Sequence, residues 1–376
     1  MKLLHVVGAR PNFMKLAPIE RELRRRGGFT QVLVHTGQHY DLAMSDAFFR
    51  DLEIPAPDVH LGIGSGTHAV QTGRIMMALE PVMEHEGPHA VVVVGDVNST
   101  MAAALVAVKL GFPVVHVEAG LRSRDRSMPE EINRVVTDAV ADLLLTPSAD
   151  ADENLHAEGI PAARIRRVGN VMIDSLRHHL PAAEHNAYPA ALGLVDQRYA
   201  VLTLHRPGNV DRPETFRAIL AGLEELAAAM PVIFPAHPRT IKRIAEFGLA
   251  GAFVERTGAT AKVSPVDSGL VLVDPAGYVE FLALMKGAFL LLTDSGGVQE
   301  ETTVLGVPCI TLREHTERPV TVTEGTNVLV GSDPARIRAA CADALAGRAK
   351  KGRVPDLWDG HAACRIADAI AAAGFH

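Results

Sequence analysis

The sequence predicts an α/β protein made of two doubly wound, Rossmann-like domains that face a cleft. Three observations carry that prediction. Short, β-branched apolar runs alternate with longer segments of helical periodicity, the pattern of parallel sheets with helices on both faces. The alternation pauses near the middle and then restarts. At 376 residues the chain is also longer than one ordinary core and suits two domains.

Strands are expected at Leu3 to Val7, Gln31 to His35, Ala90 to Val94 and Val114 to Val117, each ending at a glycine, a turn or a charged residue. Helical patterns lie between them, such as Phe13 to Arg25 and His68 to Glu84. The stretch 181–197, with Pro181, His185, Asn186 and Pro189, reads as a linker between a first domain, 1–180, and a second, 198–359. Strands resume at Tyr199 to Leu204, Val232 to Phe234, Leu270 to Val273, Phe289 to Leu292 and Cys309 to Leu312. One helix is expected from Pro213 to Met230, capped by Asp211 with Glu214 three residues on. The small-residue helix from Gly360, within 360–376, is expected to pack back on the first domain.

Composition removes several classes of function. Hydrophobic residues make up 48% of the chain, aromatics only 5%, and Ala, Val and Leu dominate, as buried parallel strands require. The net charge is −7, without a clustered basic footprint, so no nucleic-acid partner is expected. Arg24-Arg25-Arg26 closes a helix, where positive charge suits the dipole. Cys309, Cys341 and Cys364 are odd in number and widely spaced, which fits neither a disulfide framework nor zinc. With no signal-like start and no long uncharged apolar run, the expectation is a cytoplasmic protein with no membrane partner.

In doubly wound sheets, ligands bind at the carboxyl ends of the strands. The first strand ends in Gly8-Ala9-Arg10-Pro11, with Lys15 one turn on, a cationic helix start suited to an anion. Asp96 comes after the third strand. Glu118 comes after the fourth, and Pro129-Glu130-Glu131 opens the next helix. Separated acids on one sheet edge can supply a general base and a general acid. In the second half, His205-Arg206 ends a strand and suits a phosphate leaving group; His237 is a weaker parallel. Thr293-Asp294-Ser295-Gly296-Gly297 has the form of a phosphate cradle, with Glu301 one turn on to accept ribose hydroxyls and Phe281 placed to pack near a base. Three further features are expected to carry no function. The 62–66 glycine run lacks the dinucleotide spacing, His35 and His39 are not read as a metal pair, and His178-His179 reads as a solvated helix face. No metal and no redox cofactor are expected.

Taken together and in order, the Gly8–Pro18 segment, Gly95-Asp96, His116-Val117-Glu118-Ala119-Gly120-Leu121-Arg122, Pro129 to Arg134, Gly169-Asn170, His205-Arg206, Asp294 to Glu301 and Thr316-Glu317-Arg318-Pro319 resemble the non-hydrolysing UDP-N-acetylglucosamine 2-epimerase family over nearly the whole chain. The resemblance implies a fold like that of type B glycosyltransferases and a homodimer. It also implies a reaction that eliminates UDP to a 2-acetamidoglucal and adds it back, inverting carbon 2. By position, Asp96, Glu118 and Glu130 resemble the family's catalytic carboxylates, with the base and acid unassigned. His205 matches a histidine near the diphosphate. Arg10, Ser295, Gly296, Gly297 and Glu301 match UDP contacts, Phe281 a residue near uracil, and Lys15 a position near the active site.

Two departures touch the second UDP-GlcNAc site through which many bacterial members are activated. Pro207-Gly208 stand where those members carry Arg and Glu, and Tyr40-Asp41 come after Gln38-His39. That effector site is therefore expected to be altered or absent. A UDP-diacetamido-uronic acid is an alternative substrate. A hydrolysing 2-epimerase and a glycosyltransferase are rival activities, although the latter has no need of three carboxylates on one sheet edge.

Overall fold

The computed structural model describes residues 1–38, 54–195, 198–256 and 268–375, apart from the side chains of Arg10 and Arg256. The chain divides into two units, Met1–Ser175 with Asp356–His376, and Leu176–Pro355. Helical turns at Val171–Glu184 and Tyr188–Ala191 occupy much of the stretch expected to be linker.

The first unit carries β1 (Lys2–Val7), β2 (Thr30–His35), β3 (Val59–His60), β4 (Ala90–Val94), β5 (Val114–Val117), β6 (Leu143–Thr146) and β7 (Ile165–Arg167). All pair in parallel, in the order β3-β2-β1-β4-β5-β6-β7. The Ala-Val-Val-Val-Val run of β4 is buried along its whole length, as a central parallel strand covered on both faces must be. Leu4, Val6, Val91, Val93, Ala103 and Leu144 share one core. Strand order reverses between β1 and β4, so a crevice is expected at their carboxyl ends.

The second unit repeats this plan with β8 (Ala200–Thr203), β9 (Pro231–Pro235), β10 (Phe253–Arg256), β11 (Gly269–Val273), β12 (Leu290–Thr293), β13 (Cys309–Thr311) and β14 (Asn327–Leu329). Its order is β10-β11-β9-β8-β12-β13-β14, again parallel, with the reversal between β8 and β12. Leu202, Phe216, Phe234, Leu272, Leu292 and Ile337 anchor its core.

The structure corrects two local expectations. The helix expected over Pro213–Met230 is two helices, Pro213–Gly222 and Glu224–Ala229. They part beside Gly222, where a Cβ would stand 2.7 Å from Ile337 Cβ, so the close approach of another helix calls for a residue that weakens this one. Asp211 is not the cap. Arg212 takes that position, and Asp211 is drawn away by ion pairs to Arg239 and Arg243.

The helix Ala362–Ala373 belongs to the first unit. Its opening N–H groups at Ala362 and Ala363 donate to the Asp174 carboxylate at 3.1 and 2.8 Å. Arg365 Nε donates to the Val168 carbonyl at 2.6 Å, and Trp358 Nε1 to that of Pro147 at 3.0 Å. Among the described residues, no helix is long and apolar enough to cross a membrane.

Candidate active site

In the first unit, β1 turns into the helix Arg10–Arg26 at Gly8, where a Cβ would stand 2.0 Å from Ser99 Oγ. Asn12 fastens this turn to the neighbouring strand. Its Oδ1 accepts the Ala9 N–H at 3.1 Å and its Nδ2 donates to the Val94 carbonyl, which ends β4, at 2.7 Å. Gly95 is next, with φ +68°, and a Cβ there would stand 2.9 Å from Lys15 Nζ and 3.4 Å from Glu118 Oε2. Glu118, after β5, is itself left-handed at φ 70°, a conformation that costs a residue with a side chain on the order of 1–2 kcal/mol. In that conformation its N–H and that of Ala119 both donate to the Leu145 carbonyl. Its carboxylate forms an ion pair with Lys15, the two side chains being 5% and 6% exposed.

Arg134 joins two further acids. Its Nε and Nη2 donate to Asp96 Oδ2 at 3.0 and 2.6 Å, and its Nη1 to Glu131 Oε2 at 2.7 Å. Burial opposes charge on Glu131. The N–H groups of Ser123 and Arg124, the Ser123 hydroxyl and Arg134 outweigh it and hold the carboxyl below its ordinary pKa. Of the two acids that open the helix Pro129–Val140, Glu131 thus fastens the 123–124 loop. Glu130 is half-buried and lines a cavity of about 230 Å³ together with Gln71, Asn98 and Asn133.

Beneath these lies a buried group that sequence reasoning missed. His116 Nδ1 is 2.6 Å from Asp138 Oδ1 and its Nε2 is 2.8 Å from the Gly95 carbonyl oxygen. The other oxygen of Asp138 meets Arg122 Nη1 at 2.7 Å and accepts the Gly120 N–H at 3.0 Å. Burial works against the Asp138 charge, but His116 and Arg122 prevail and lower its pKa. A signal for this was present. Glu131, Arg134 and Asp138 recur at spacings of three and four, which places them on one face of the helix. That face is buried.

In the second unit, His205-Arg206 lie just beyond β8 and Asp294-Ser295 just beyond β12, the neighbours at the reversal of that sheet. Asp294 is fully buried and collects donors: the N–H groups of His205 and Arg206 at 3.2 and 3.0 Å, Asn209 Nδ2 at 3.1 Å and His205 Nδ1 at 2.8 Å. Burial alone would raise its pKa, yet these partners, His205 first, hold it below the usual range. The His205 side chain is 57% exposed. Ser295 caps the helix Gly296–Leu305 with no side-chain cap bond, so the first-turn N–H groups and the positive end of the helix dipole are available to an anion. Gly296 has no room for a Cβ, which would stand 2.4 Å from Arg318 Nη1; the glycine lets that guanidinium lie against the helix start. Arg318 in turn pairs with Glu300 at 2.8 Å and Glu317 at 2.7 Å. Glu301 is buried on the same helix, and its Oε1 accepts the Tyr278 hydroxyl at 2.8 Å. Phe281 is half-buried on the helix Tyr278–Gly287.

The remaining sequence candidates have local or tertiary roles. His237 serves its own helix, its Nδ1 accepting the Arg239 N–H at 3.2 Å. His178 is exposed as expected, but His179 is not part of a solvated face. It is buried edge-on against Tyr278, a tertiary contact that local sequence does not announce. His35 packs between the Phe13 and His60 rings, and burial lowers its pKa to about 4. Pro207 and Gly208 begin a short helix, Pro207–Val210. The Arg10 side chain and residues His39, Tyr40 and Asp41, on which part of the effector-site expectation rests, lie outside the described residues.

The family model described as UDP-N-acetylglucosamine 2-epimerase matches residues 21–371. A UDP-N-acetylglucosamine 2-epimerase of Methanocaldococcus jannaschii is 45% identical over 342 residues, 90% of each chain. A UDP-2,3-diacetamido-2,3-dideoxy-D-glucuronate 2-epimerase of Pseudomonas aeruginosa is 43% identical over 335 residues, 88% of this chain and 89% of that one. The crystal structure of the M. jannaschii UDP-GlcNAc 2-epimerase in complex with UDP-GlcNAc and UDP superposes with a TM-score of 0.87 at 42% identity, covering 99% of this chain and 100% of that one.

Proposed function

The chain belongs to the UDP-N-acetylglucosamine 2-epimerase family, a family of isomerases, and from that premise we propose that it interconverts UDP-GlcNAc and UDP-ManNAc in the cytoplasm, as a homodimer. The observation that carries this reading is the placement of Asp96 and Glu118 just beyond the adjacent strands β4 and β5, each held by a buried cation, with Glu118 Oε2 3.4 Å from where a Cβ on Gly95 would stand. An ionised carboxylate can take a carbon-bound proton, and a second group must return one to the opposite face. Asp96, Glu118 and Glu130 are the groups assigned to those transfers.

The chemistry balances without a redox cofactor. A carboxylate removes the proton on carbon 2. The C–H electron pair becomes the C1=C2 double bond of a 2-acetamidoglucal, and the C1–O bond breaks with its electrons leaving on UDP. In the return step the double bond takes a proton on the opposite face of carbon 2 and a UDP oxygen bonds carbon 1. The second unit's set serves the nucleotide. The Ser295-Gly296-Gly297 helix start binds the diphosphate, and His205 faces it through Nε2, since Asp294 engages Nδ1. Glu301 takes ribose hydroxyls and Phe281 lies near the base. Lys15 holds Glu118 in place.

Proton NMR of the protein with UDP-GlcNAc in deuterated water tests the proposal. UDP-ManNAc carrying deuterium at carbon 2 is the expected product. Free ManNAc with UDP would instead mark a hydrolysing enzyme. The 43% identity to the P. aeruginosa diacetamido-glucuronate epimerase favours one second reading, the same chemistry on that uronic acid. Running both substrates in parallel separates the two.

A further inference from the structure

Glu301 is 4% exposed on the helix Gly296–Leu305, and the partner of its Oε1 is a phenol, the Tyr278 hydroxyl at 2.8 Å. The tyrosine is itself fixed. Its residue is 9% exposed, and the His179 ring meets it edge-on with centroids 5.3 Å apart and planes at 88°. The helix that Tyr278 opens is pinned at its start, where the Gly277 N–H donates to Glu280 Oε2 at 2.7 Å. Phe281 stands three residues further along, on the same side of that helix.

A buried acid held by a neutral hydroxyl is an unfavourable arrangement for folding alone. Burial pushes the Glu301 pKa up to about 7, against the downward pull of the Tyr278 hydrogen bond. A carboxylate offers about four lone-pair positions on its two oxygens. One donor on Oε1 fixes the plane of the group and leaves acceptor capacity to be met by whatever arrives. The vicinal hydroxyls of a ribose are two donors at fixed separation, and a site built around such donors discriminates against analogues that lack one.

We propose that Tyr278 is a specificity-determining positioning residue: its hydroxyl aims Glu301 at both hydroxyls of the nucleotide's ribose, so that the site selects ribonucleotides over 2′-deoxyribonucleotides. This rests on the nucleotide reading of the second unit and deepens it.

The test is calorimetric titration of the full chain with UDP and with 2′-deoxy-UDP, before and after Tyr278→Phe. The unaltered protein is expected to prefer UDP by at least about tenfold, roughly the worth of one charge-assisted hydrogen bond. The Phe variant should bind UDP about tenfold more weakly and 2′-deoxy-UDP within about twofold of the original, so the preference collapses. In turnover the loss should appear in KM, with kcat little changed. Tyr278→Met, smaller but flexible enough to fill the space and also lacking the hydroxyl, repeats the measurement if the Phe variant does not fold. A parallel loss for both nucleotides would mark a merely structural tyrosine and overturn the proposal, as would equal binding of both by the unaltered protein. Absence of any UDP binding would sink the nucleotide reading, and this inference with it.

Discussion

Glu118 of the first unit and Glu301 of the second, both buried, meet the same electrostatic problem in opposite ways. In the first unit Glu118 is answered by Lys15, Asp96 and Glu131 by Arg134, and Asp138 by Arg122, with His116 hydrogen-bonded to its other oxygen. In the second, Glu301 is answered by a hydroxyl, and its pKa climbs towards neutrality. A carboxylate that must act as a base has to be charged before the substrate arrives, so the protein supplies its counter-charge. A carboxylate that binds hydroxyls can take its missing donors from the ligand. On the proposed function, the contrast separates the part of the site that is complete in the free protein from the part that a nucleotide would complete.

The sharpest way to break this comparison is Glu118→Gln, which keeps the shape and removes the charge. A fall in kcat of about 10³-fold or more is expected, with UDP affinity by calorimetry little changed. An active variant would remove Glu118 from the proton transfers. Next in size is Lys15→Met, which removes the cation beside the buried Glu118 and should cost about 3–5 kcal/mol in urea unfolding. The double variant Lys15→Met/Glu118→Leu should recover most of that loss; failure to recover would mean that the pair's cost lies elsewhere.

Glu301→Gln probes the other half. The folded pKa of Glu301, about 7, lies above its ordinary value of 4.5, so the folded state holds this proton more tightly than the unfolded chain does. Its contribution to stability is therefore full below pH 4.5 and is lost as pH rises through 7, a swing on the order of 3 kcal/mol. The Gln variant should consequently gain stability over the parent at about pH 8 and little at about pH 4, while losing nucleotide affinity. Urea midpoints that shift equally at both pH values would contradict the assignment. The smallest expected effect is Gly95→Ala, where positive φ and the nearness of Lys15 should cost about 1–2 kcal/mol. Because that turn carries Asp96, kcat should fall by more than the stability loss alone accounts for.

Local sequence revealed whatever is locally determined. The nine strands read from the sequence show as short apolar runs closed by a turn or a charged residue, whereas β3, β6, β7, β10 and β14, two to four residues long, did not stand out; the candidate residues Asp96, Glu118, His205 and Ser295 could be found by inspecting the first residues beyond the strands. Partners set by tertiary packing were not legible. Asp211 has the spacing of a cap, yet Arg239 and Arg243 from another helix claim it. His179 beside His178 looks solvated until Tyr278, about a hundred residues further along the chain, covers it. Asp138 was overlooked although its helix spacing with Glu131 and Arg134 was visible, because a charged stripe is ordinarily read as the wet face of a helix.

The return of the last helix to the first unit has a consequence for how the protein is made. The second unit is one continuous stretch and can close as soon as it has left the ribosome. The first waits for Ala362–Ala373, so until then Asp174 lacks the Ala362 and Ala363 N–H groups, and the surface that Ile366 and Ile370 will cover stands open to solvent. The unit whose synthesis begins first is thus completed last, and until then it exposes apolar surface of the kind that makes incomplete folds prone to aggregate.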